Sequence, residues 1–270
     1  MPAVDISGLR IEYTDHGVGL PILFVPGLYG NADWFRYQSS GLSDRYRVIA
    51  CGTRGARGSN GLSLDVLAAD LIGFLDVLKV YGVVVVGHNL GASIALQVAA
   101  QFPERVLAVV AVSACPCYSG VSGEDIIAHL SPGHVEPETF LERIMGWLGK
   151  KKQIAYDDGD PLAYLVQRGG SVDKATLSAR LHLMLDDDIS PILPSVTAPT
   201  LVLAGSDDWA KILSGSQAID QVVPNATLEV LEDAGHFCFF TRHDLFNAAL
   251  DEFVVREVPR PGALWIPMPT

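Results

Sequence analysis

Apolar residues in this chain fall in short runs that are rich in valine, isoleucine and leucine and are bounded by glycine, proline or aspartate. Runs of four to eight such residues predict buried strands. The first two runs, Ala3 to Ile6 and Leu9 to Tyr13, are spaced as a hairpin. The later runs predict the strands of a mostly parallel sheet, at residues 21–25, 46–51, 83–87, 106–113, 199–204 and 226–231.

Between these runs, apolar residues recur at the spacing of three and four that marks one face of a helix. The stretches with this spacing predict helices near residues 34–42, 62–80, 90–102, 214–223 and 243–255. Strands that alternate with helices are typical of an α/β fold in which helices cover both faces of a parallel sheet. We therefore predict an α/β fold with a mostly parallel central sheet.

The alternation is interrupted between residues 116 and 191, where helical spacing continues without strands. Two apolar stripes run along the helices predicted there, formed by Phe140, Ile144 and Trp147, and by Leu177, Leu181 and Met184 or Leu185. Stripes of this kind are most simply core residues that pack one layer onto another. We predict that residues 116–191 form an inserted helical cap, and that residues 1–115 and 192–270 together form the core.

The most informative motif is Gly87-His88-Asn89-Leu90-Gly91, which follows four consecutive valines. A strand, a tight turn and a helix in this order seat the nucleophile of the Gly-x-Ser-x-Gly elbow. The central residue of an elbow has a positive φ, which asparagine tolerates better than most residues. However, a carboxamide is not a nucleophile of the serine type. An ordinary strand-to-helix turn without a chemical role is the alternative interpretation of this motif.

An acid and a histidine follow two of the later strands. Asp207 and Asp208 come after the strand that ends near residue 204, and His236 comes after the last predicted strand. Nucleophile, acid and histidine occur in this order in hydrolases with a nucleophile elbow. In that arrangement the acid orients the ring and stabilises its charged form, while the histidine transfers protons.

With these motifs along nearly its whole length, the chain resembles the α/β-hydrolase superfamily. Residues 54–59 stand where relatives have Asp-x-Arg-Gly-x-Gly-x-Ser, although Gly52 replaces the aspartate. The resemblance implies an α/β-hydrolase fold. The spacing Gly-x-x-Asp that is usual in the family favours Asp208 over Asp207 as the acid, so the implied catalytic residues are Asn89, Asp208 and His236.

The same resemblance implies an oxyanion hole. The turn that begins at Pro26 corresponds to His-Gly-x-x-Gly in relatives, with proline in place of the histidine. The residue after its first glycine and the residue after the nucleophile donate their backbone N–H groups to the oxyanion. These residues are Leu28 and Leu90. We also expect Tyr29, His88 and Trp147 to contact the substrate, because ligands in such folds bind beyond the carboxyl ends of the strands.

Two narrower resemblances concern the elbow. The aminoacrylate (carbamate) hydrolases of bacterial uracil breakdown also lack the serine, with Gly-His-Ala-Leu-Gly-Ala in place of residues 87–92, and carry a Gly-His-x-Cys run like residues 235–238. Epoxide hydrolases and dehalogenases have Gly-His-Asp-x-Gly-Ala, which differs by one residue. These enzymes usually have a His-Gly-x-Pro turn, whereas Leu28 and Tyr29 follow Gly27 here and provide no proline.

Composition restricts the function further. The formal net charge of −12 argues against nucleic acid and anionic membranes as partners. The first residues lack the basic and apolar regions of a signal peptide, and no apolar run reaches the ~20 residues of a membrane span. Four cysteines without a zinc spacing indicate neither a disulfide scaffold nor a metal site. We expect a cytoplasmic monomer or homodimer that acts on a small molecule without cofactor or metal.

Together these features predict a hydrolase of a small activated acyl compound, such as an ester, lactone, enamine or carbamate. His236, oriented by Asp208, would activate water directly, with Asn89 in the nucleophile position. One alternative is a serine or aspartate hydrolase inactivated by substitution of its nucleophile to asparagine. Another is a cofactor-free lyase or oxygenase, or a ligand-binding receptor, built on the same fold.

Overall fold

We describe the protein from a computed structural model. The structure describes residues 1–6, 8–54, 62–129, 164–165 and 172–258. Eight strands form one sheet in the order β1-β2-β4-β3-β5-β6-β7-β8. They are β1 (Ala3–Ile6), β2 (Leu9–His16), β3 (Leu20–Val25), β4 (Tyr46–Cys51), β5 (Val83–His88), β6 (Val106–Val112), β7 (Thr200–Gly205) and β8 (Ala226–Leu231).

Strands β3 to β8 pair in parallel, whereas β2 pairs antiparallel with both β1 and β4. This confirms the mostly parallel sheet. Strand β2 continues three residues beyond the predicted end at Tyr13, because residues 13–16 pair with residues 48–51 of β4. The pairing with β4 therefore decides the length of β2, and the local sequence pattern does not.

Helices cover both faces of the sheet in the described ranges. They are α1 (Arg36–Leu42), α2 (Leu64–Val77), α3 (Leu90–Gln101), α4 (Gly123–His129), α5 (Lys174–Asp186), α6 (Ala210–Val222), α7 (Cys238–Thr241) and α8 (His243–Glu257). None of these helices has the length and apolar character that a bilayer span requires.

Consecutive residues of the central strands belong to two different cores. In β5, Val83 and Val85 pack on the side of α2, α3 and α6, whereas Val84 and Val86 pack on the side of α1 and α8. Alternating side chains of a strand point to opposite faces. Since both faces are covered, both sets of positions must be apolar, which explains the unbroken valine run.

Some helices begin where a side chain caps their first turn. Ser63 begins α2, because its side chain accepts a hydrogen bond from the amide of Val66. Helix α6 begins at Ala210, four residues before the predicted start at residue 214. Asp207 and Asp208 are typical loop residues, but the helix begins only one residue after them, with Trp209 as its N-cap.

The segment predicted as a cap is described at its two ends, where α4 and α5 lie. The second predicted stripe lies on α5, where Met184 is buried and Leu177, Leu181 and Leu185 pack against the core beside α2 and α3. The first stripe, with Trp147, lies outside the described residues. The cap itself stays a prediction.

We predict that Gly91→Ala destabilises the fold by about 3 kcal/mol, the upper end of the usual cost of overpacking. A Cβ at Gly91 would lie 2.2 Å from the carbonyl oxygen of Val25 and 2.7 Å from that of Pro26, two backbone atoms that cannot rotate away. Urea unfolding measures the change. Gly52→Ala is the control, because its Cβ would lie 3.6 Å from the nearest atom and should change stability by less than ~0.5 kcal/mol.

Candidate active site

The turn between β5 and α3 has the geometry of a nucleophile elbow. Asn89 lies in the turn with φ 54° and ψ −114°, which confirms the predicted positive φ. The backbones cross so closely that a Cβ at Gly87 would lie 2.1 Å from the carbonyl oxygen of Gly91. The two glycines of the motif are therefore required by the packing of strand against helix.

The Asn89 side chain is buried and points towards the loop after β6. Its Nδ2 donates a hydrogen bond of 3.2 Å to the hydroxyl of Tyr118. Its Oδ1 is buried and has no hydrogen-bond partner among the described residues. A buried acceptor without a partner costs about 1–3 kcal/mol of folding free energy. A ligand or a water molecule that donates a hydrogen bond to this oxygen would remove that cost.

Asp208 and His236 form the hydrogen-bonded pair that the strand order predicted. The distances from His236 Nδ1 to the two Asp208 carboxylate oxygens are 3.0 and 3.3 Å, and both side chains are buried. Asp207 is exposed and accepts a hydrogen bond from Ser206 instead. The carboxylate of Asp208 places the ring proton on Nδ1, so that Nε2 carries the lone pair of a base.

The environment of Asp208 favours its charged form. Burial alone raises the pKa of this carboxyl group, but the charge and hydrogen bond of His236 lower it. Hydrogen bonds from Ser113 and from the amide of Trp209 act in the same direction, and the net pKa lies below its ordinary value. Asp208 is therefore ionised at neutral pH and can stabilise a protonated His236.

Two buried side chains from neighbouring strands hold the backbone of the histidine loop. The carbonyl oxygen of His236 accepts hydrogen bonds from His88 Nε2 at 3.0 Å and from Ser113 Oγ at 3.1 Å. Ser113 directly follows β6 and has a positive φ of 48°. A serine in this conformation is strained, and the bond to the histidine loop accounts for its position at the site.

The structure does not support the predicted substrate contact of His88. Its ring lies below the elbow among aromatic side chains, with centroids 4.8 Å from Phe239 and 5.5 Å from Phe237. Burial lowers the pKa of His88 well below its ordinary value, and the nearby His236 adds to this effect. His88 is therefore a neutral hydrogen-bond donor to the backbone of His236. Its ring points away from the side chain of Asn89 because successive residues of a strand face opposite sides of the sheet.

The loop after β3 lies against the elbow, as an oxyanion hole requires. A Cβ at Gly27 would lie 3.0 Å from the Cβ of Asn89. Leu90 is the first residue of α3, so its N–H has no acceptor within the helix. Tyr29 is half-buried at the edge of this loop, and burial raises the pKa of its hydroxyl. The donor roles of Leu28 and Leu90 and the substrate contact of Tyr29 stay predictions.

Arg180, Tyr118 and Ser113 are site residues that the motif analysis missed. Ser113 and Tyr118 follow the carboxyl end of β6, which is the edge where parallel strands present their ligands, so their position was a usable signal. Arg180 lies within an apolar helical pattern and gave none. Its Nη1 donates to the carbonyl oxygen of Leu28 at 3.1 Å, and its Nη2 donates to that of Thr53 at 3.0 Å.

Other candidate chemistry is not supported. Cys51, Cys115 and Cys238 are buried free thiols, and burial raises the pKa of Cys238 to about 12. Its thiol is therefore neutral and a weak nucleophile. Within the described ranges, histidine, cysteine and carboxylate side chains form no cluster of three that could hold a metal ion. Trp147 lies outside the described residues.

A strand–elbow–helix turn, a buried Asp–His pair and a mostly parallel sheet of eight strands define a hydrolase of the α/β class. The model of the alpha/beta hydrolase family matches residues 22–249. The chain thus belongs to the α/β-hydrolase family of enzymes.

Individual relatives have several activities. The chain is 30% identical to a protein of Variovorax paradoxus named as the carbamate hydrolase RutD, over 94% of this chain and 99% of that one. It is 26% identical to the structure of Est816, described as an N-acyl homoserine lactone degrading enzyme, with a TM-score of 0.70 and coverage of 94% and 100%. A thermophilic esterase from Thermogutta terrifontis shares the fold with a TM-score of 0.77 at 21% identity, with coverage of 96% and 100%.

The neutral state of His88 predicts a specific dependence of stability on pH. The unfolded chain binds a proton at this residue below pH ~6.5 and the folded chain does not, so stability is lost as the pH falls below that value. We expect the free energy of unfolding of His88→Gln, which keeps a donor but does not titrate, to fall by about 1 kcal/mol less than that of the wild type between pH 6.5 and 5.5.

Urea unfolding of both proteins at pH 7.5, 6.5 and 5.5 measures this difference. His182→Gln is the control, because His182 is exposed and its removal should leave the slope unchanged. Parallel slopes of the wild type and His88→Gln would contradict a neutral His88.

Proposed function

We propose that the protein hydrolyses a small activated acyl compound, an ester, lactone or carbamate, by direct attack of water on the acyl carbon. The observation that carries this proposal is that two buried acceptors, one in the elbow and one in the histidine loop, have no partner in the part of the chain that the structure describes. Asn89 Oδ1 and His236 Nε2 both lack a hydrogen-bond partner within the described chain. A water molecule that donates one hydrogen to each of them turns its lone pairs towards the substrate.

Asn89 takes the place of a nucleophile but acts as an acceptor. Its Nδ2 donates a hydrogen bond to the hydroxyl of Tyr118. Its Oδ1 is therefore the atom that can accept a hydrogen bond from the water. A carboxamide oxygen accepts hydrogen bonds and cannot itself be activated by a base. The role of Asn89 in this proposal is therefore to orient the water that a covalent enzyme would use only in its second step.

The proton transfers follow from the Asp208–His236 pair. As the water oxygen bonds to the acyl carbon, His236 Nε2 takes its proton and the carbonyl oxygen becomes an oxyanion. The amides of Leu28 and Leu90 stabilise this anion, each by about 2.7–4 kcal/mol. When the tetrahedral intermediate collapses, the leaving group departs with the proton from Nε2. The ionised Asp208 stabilises the histidine while it is charged.

The proposed mechanism has no covalent acyl-enzyme intermediate, and this restricts the class of substrate. Water is a weaker nucleophile than an activated serine, so the acyl group must be reactive by itself. The similarity to a protein named as a carbamate hydrolase supports a small substrate of this kind.

Turnover of a panel of aryl esters, lactones and carbamates in ¹⁸O-labelled water tests the proposal. We expect one labelled oxygen in the acid product and no burst of leaving group. His236→Ala should lower kcat by about 10²–10⁴-fold, since it removes the base. Asn89→Ala should cost only about 1–3 kcal/mol of transition-state stabilisation, since it removes one hydrogen bond.

The neighbouring aspartates provide a matched pair for this experiment. Asp208→Asn should impair turnover strongly, whereas Asp207→Asn should leave it unchanged, because the exposed Asp207 faces away from the ring. Binding of the panel without any product would favour a receptor, and product formation without labelled oxygen would favour a lyase. Equal and complete loss in His236→Ala and Asn89→Ala would contradict the role given to Asn89.

Restoring a hydroxyl at the elbow should restore covalent chemistry. Serine is smaller than asparagine and fits the turn, where His236 can take its proton. We expect Asn89→Ser to release a burst of phenol from aryl esters and to be labelled by an organophosphonate, because an acyl-enzyme now accumulates. Asn89→Ala is the control and should do neither. A folded Asn89→Ser protein without burst or labelling would show that the other parts of the site are not arranged for acyl transfer.

A further inference from the structure

Arg180 is a buried cation that makes no direct salt bridge among the described residues, although the carboxylate of Asp173 attracts its charge. The residue is 3% exposed and lies on α5, between the two sequence segments that form the core. Its Nε has no hydrogen-bond acceptor among the described residues. Burial lowers the pKa of Arg180 to about 10, so the guanidinium is still charged at neutral pH. A buried charge without a direct ion-pair partner is costly, so its position calls for an explanation.

The two hydrogen bonds of Arg180 point to that explanation. One joins Nη1 to the carbonyl oxygen of Leu28, whose own amide is the expected oxyanion donor. The other joins Nη2 to the carbonyl oxygen of Thr53, next to Arg54. Arg54 is itself fixed by two hydrogen bonds of 2.6 and 2.7 Å to Asp70. Arg180 thus connects the oxyanion loop to a rigid point at the end of β4.

We infer that Arg180 is a positioning residue for the oxyanion hole, because it holds the Leu28 backbone in place through the carbonyl oxygen of that residue. This inference rests on the proposed function, because it takes the amide of Leu28 as an oxyanion donor. Donors that are fixed in advance stabilise a developing charge without reorganisation. The rigid fork of a guanidinium can bond two carbonyls at once, which a lysine ammonium does less well.

Three variants separate charge, geometry and stability. Arg180→Met removes both hydrogen bonds and the charge. It should lower kcat about 10–100-fold, which is less than the effect of removing an oxyanion donor itself. KM should change less than about threefold. Arg180→Lys keeps the charge and should be intermediate. Arg105→Met is the matched control, because Arg105 also bonds two backbone carbonyls, those of Tyr81 and Val80, at the opposite edge of the sheet. It should lower the melting temperature and leave kcat unchanged.

A binding measurement tests the inference independently of turnover. A phosphonate monoester carries the shape and charge of the tetrahedral intermediate, and a neutral amide of the same size resembles the substrate. By calorimetry, Arg180→Met should weaken the phosphonate about 10–100-fold and the amide less than threefold. Equal phosphonate affinity in the wild type and Arg180→Met would overturn the inference, even if the wild type hydrolysed the panel normally.

A paired substrate distinguishes this role from substrate recognition. Phenyl acetate and the monophenyl ester of succinic acid differ by a carboxylate. We expect Arg180→Met to lower kcat for both by the same factor. A loss confined to KM of the carboxylate-bearing ester would make Arg180 a substrate-binding residue and overturn the inference. If the wild type hydrolyses neither ester nor any member of the panel, the proposed function fails, and the phosphonate affinities still decide the role of Arg180.

Discussion

The structure depends on one steric constraint, the crossing of the Gly87–Gly91 elbow with the end of β3. A Cβ at Gly91 would lie 2.2 Å from the carbonyl oxygen of Val25, so the two backbones meet without a side chain between them. This contact sets Asn89 beside Gly27 and leaves the first amide of α3 unbonded within the helix. The place of the turn after β3 beside the elbow therefore follows from how closely strand and helix can pack.

A second group of contacts, from the elbow and from the end of the next strand, holds the loop that carries His236. His88 precedes Asn89, and its ring bonds to the carbonyl of His236 from below the sheet edge. Ser113 adds a second bond to that carbonyl from the end of the next strand. These bonds fix the backbone of His236 and leave its Nε2 unbonded among the described residues, while Asp208 holds Nδ1. Burial keeps His88 neutral, so it places no positive charge below His236.

Much of the fold could be predicted from the sequence. The strands were placed within two or three residues because a parallel strand that is buried on both faces must be apolar along its length. The positive φ of Asn89 followed from its motif, and the pairing of Asp208 with His236 agrees with the spacing expected in the family. The errors occur where local pattern is not decisive. Strand β2 is lengthened by its pairing with β4, and α6 begins directly after Asp208 and Trp209.

The sequence by itself determined the α/β-hydrolase fold, the elbow with asparagine at its centre, and the order of acid and histidine along the chain. Only the tertiary structure decided which amide atom of Asn89 is left unbonded among the described residues, that His88 bonds to the backbone of His236, and that Arg180 bonds to the carbonyl oxygen of Leu28. The bonds from His88, Ser113 and Arg180 join residues that are 148, 123 and 152 positions apart. Periodicity and motif spacing report on neighbours along the chain, and such distant contacts exist only once the sheet has brought its strand ends to one edge.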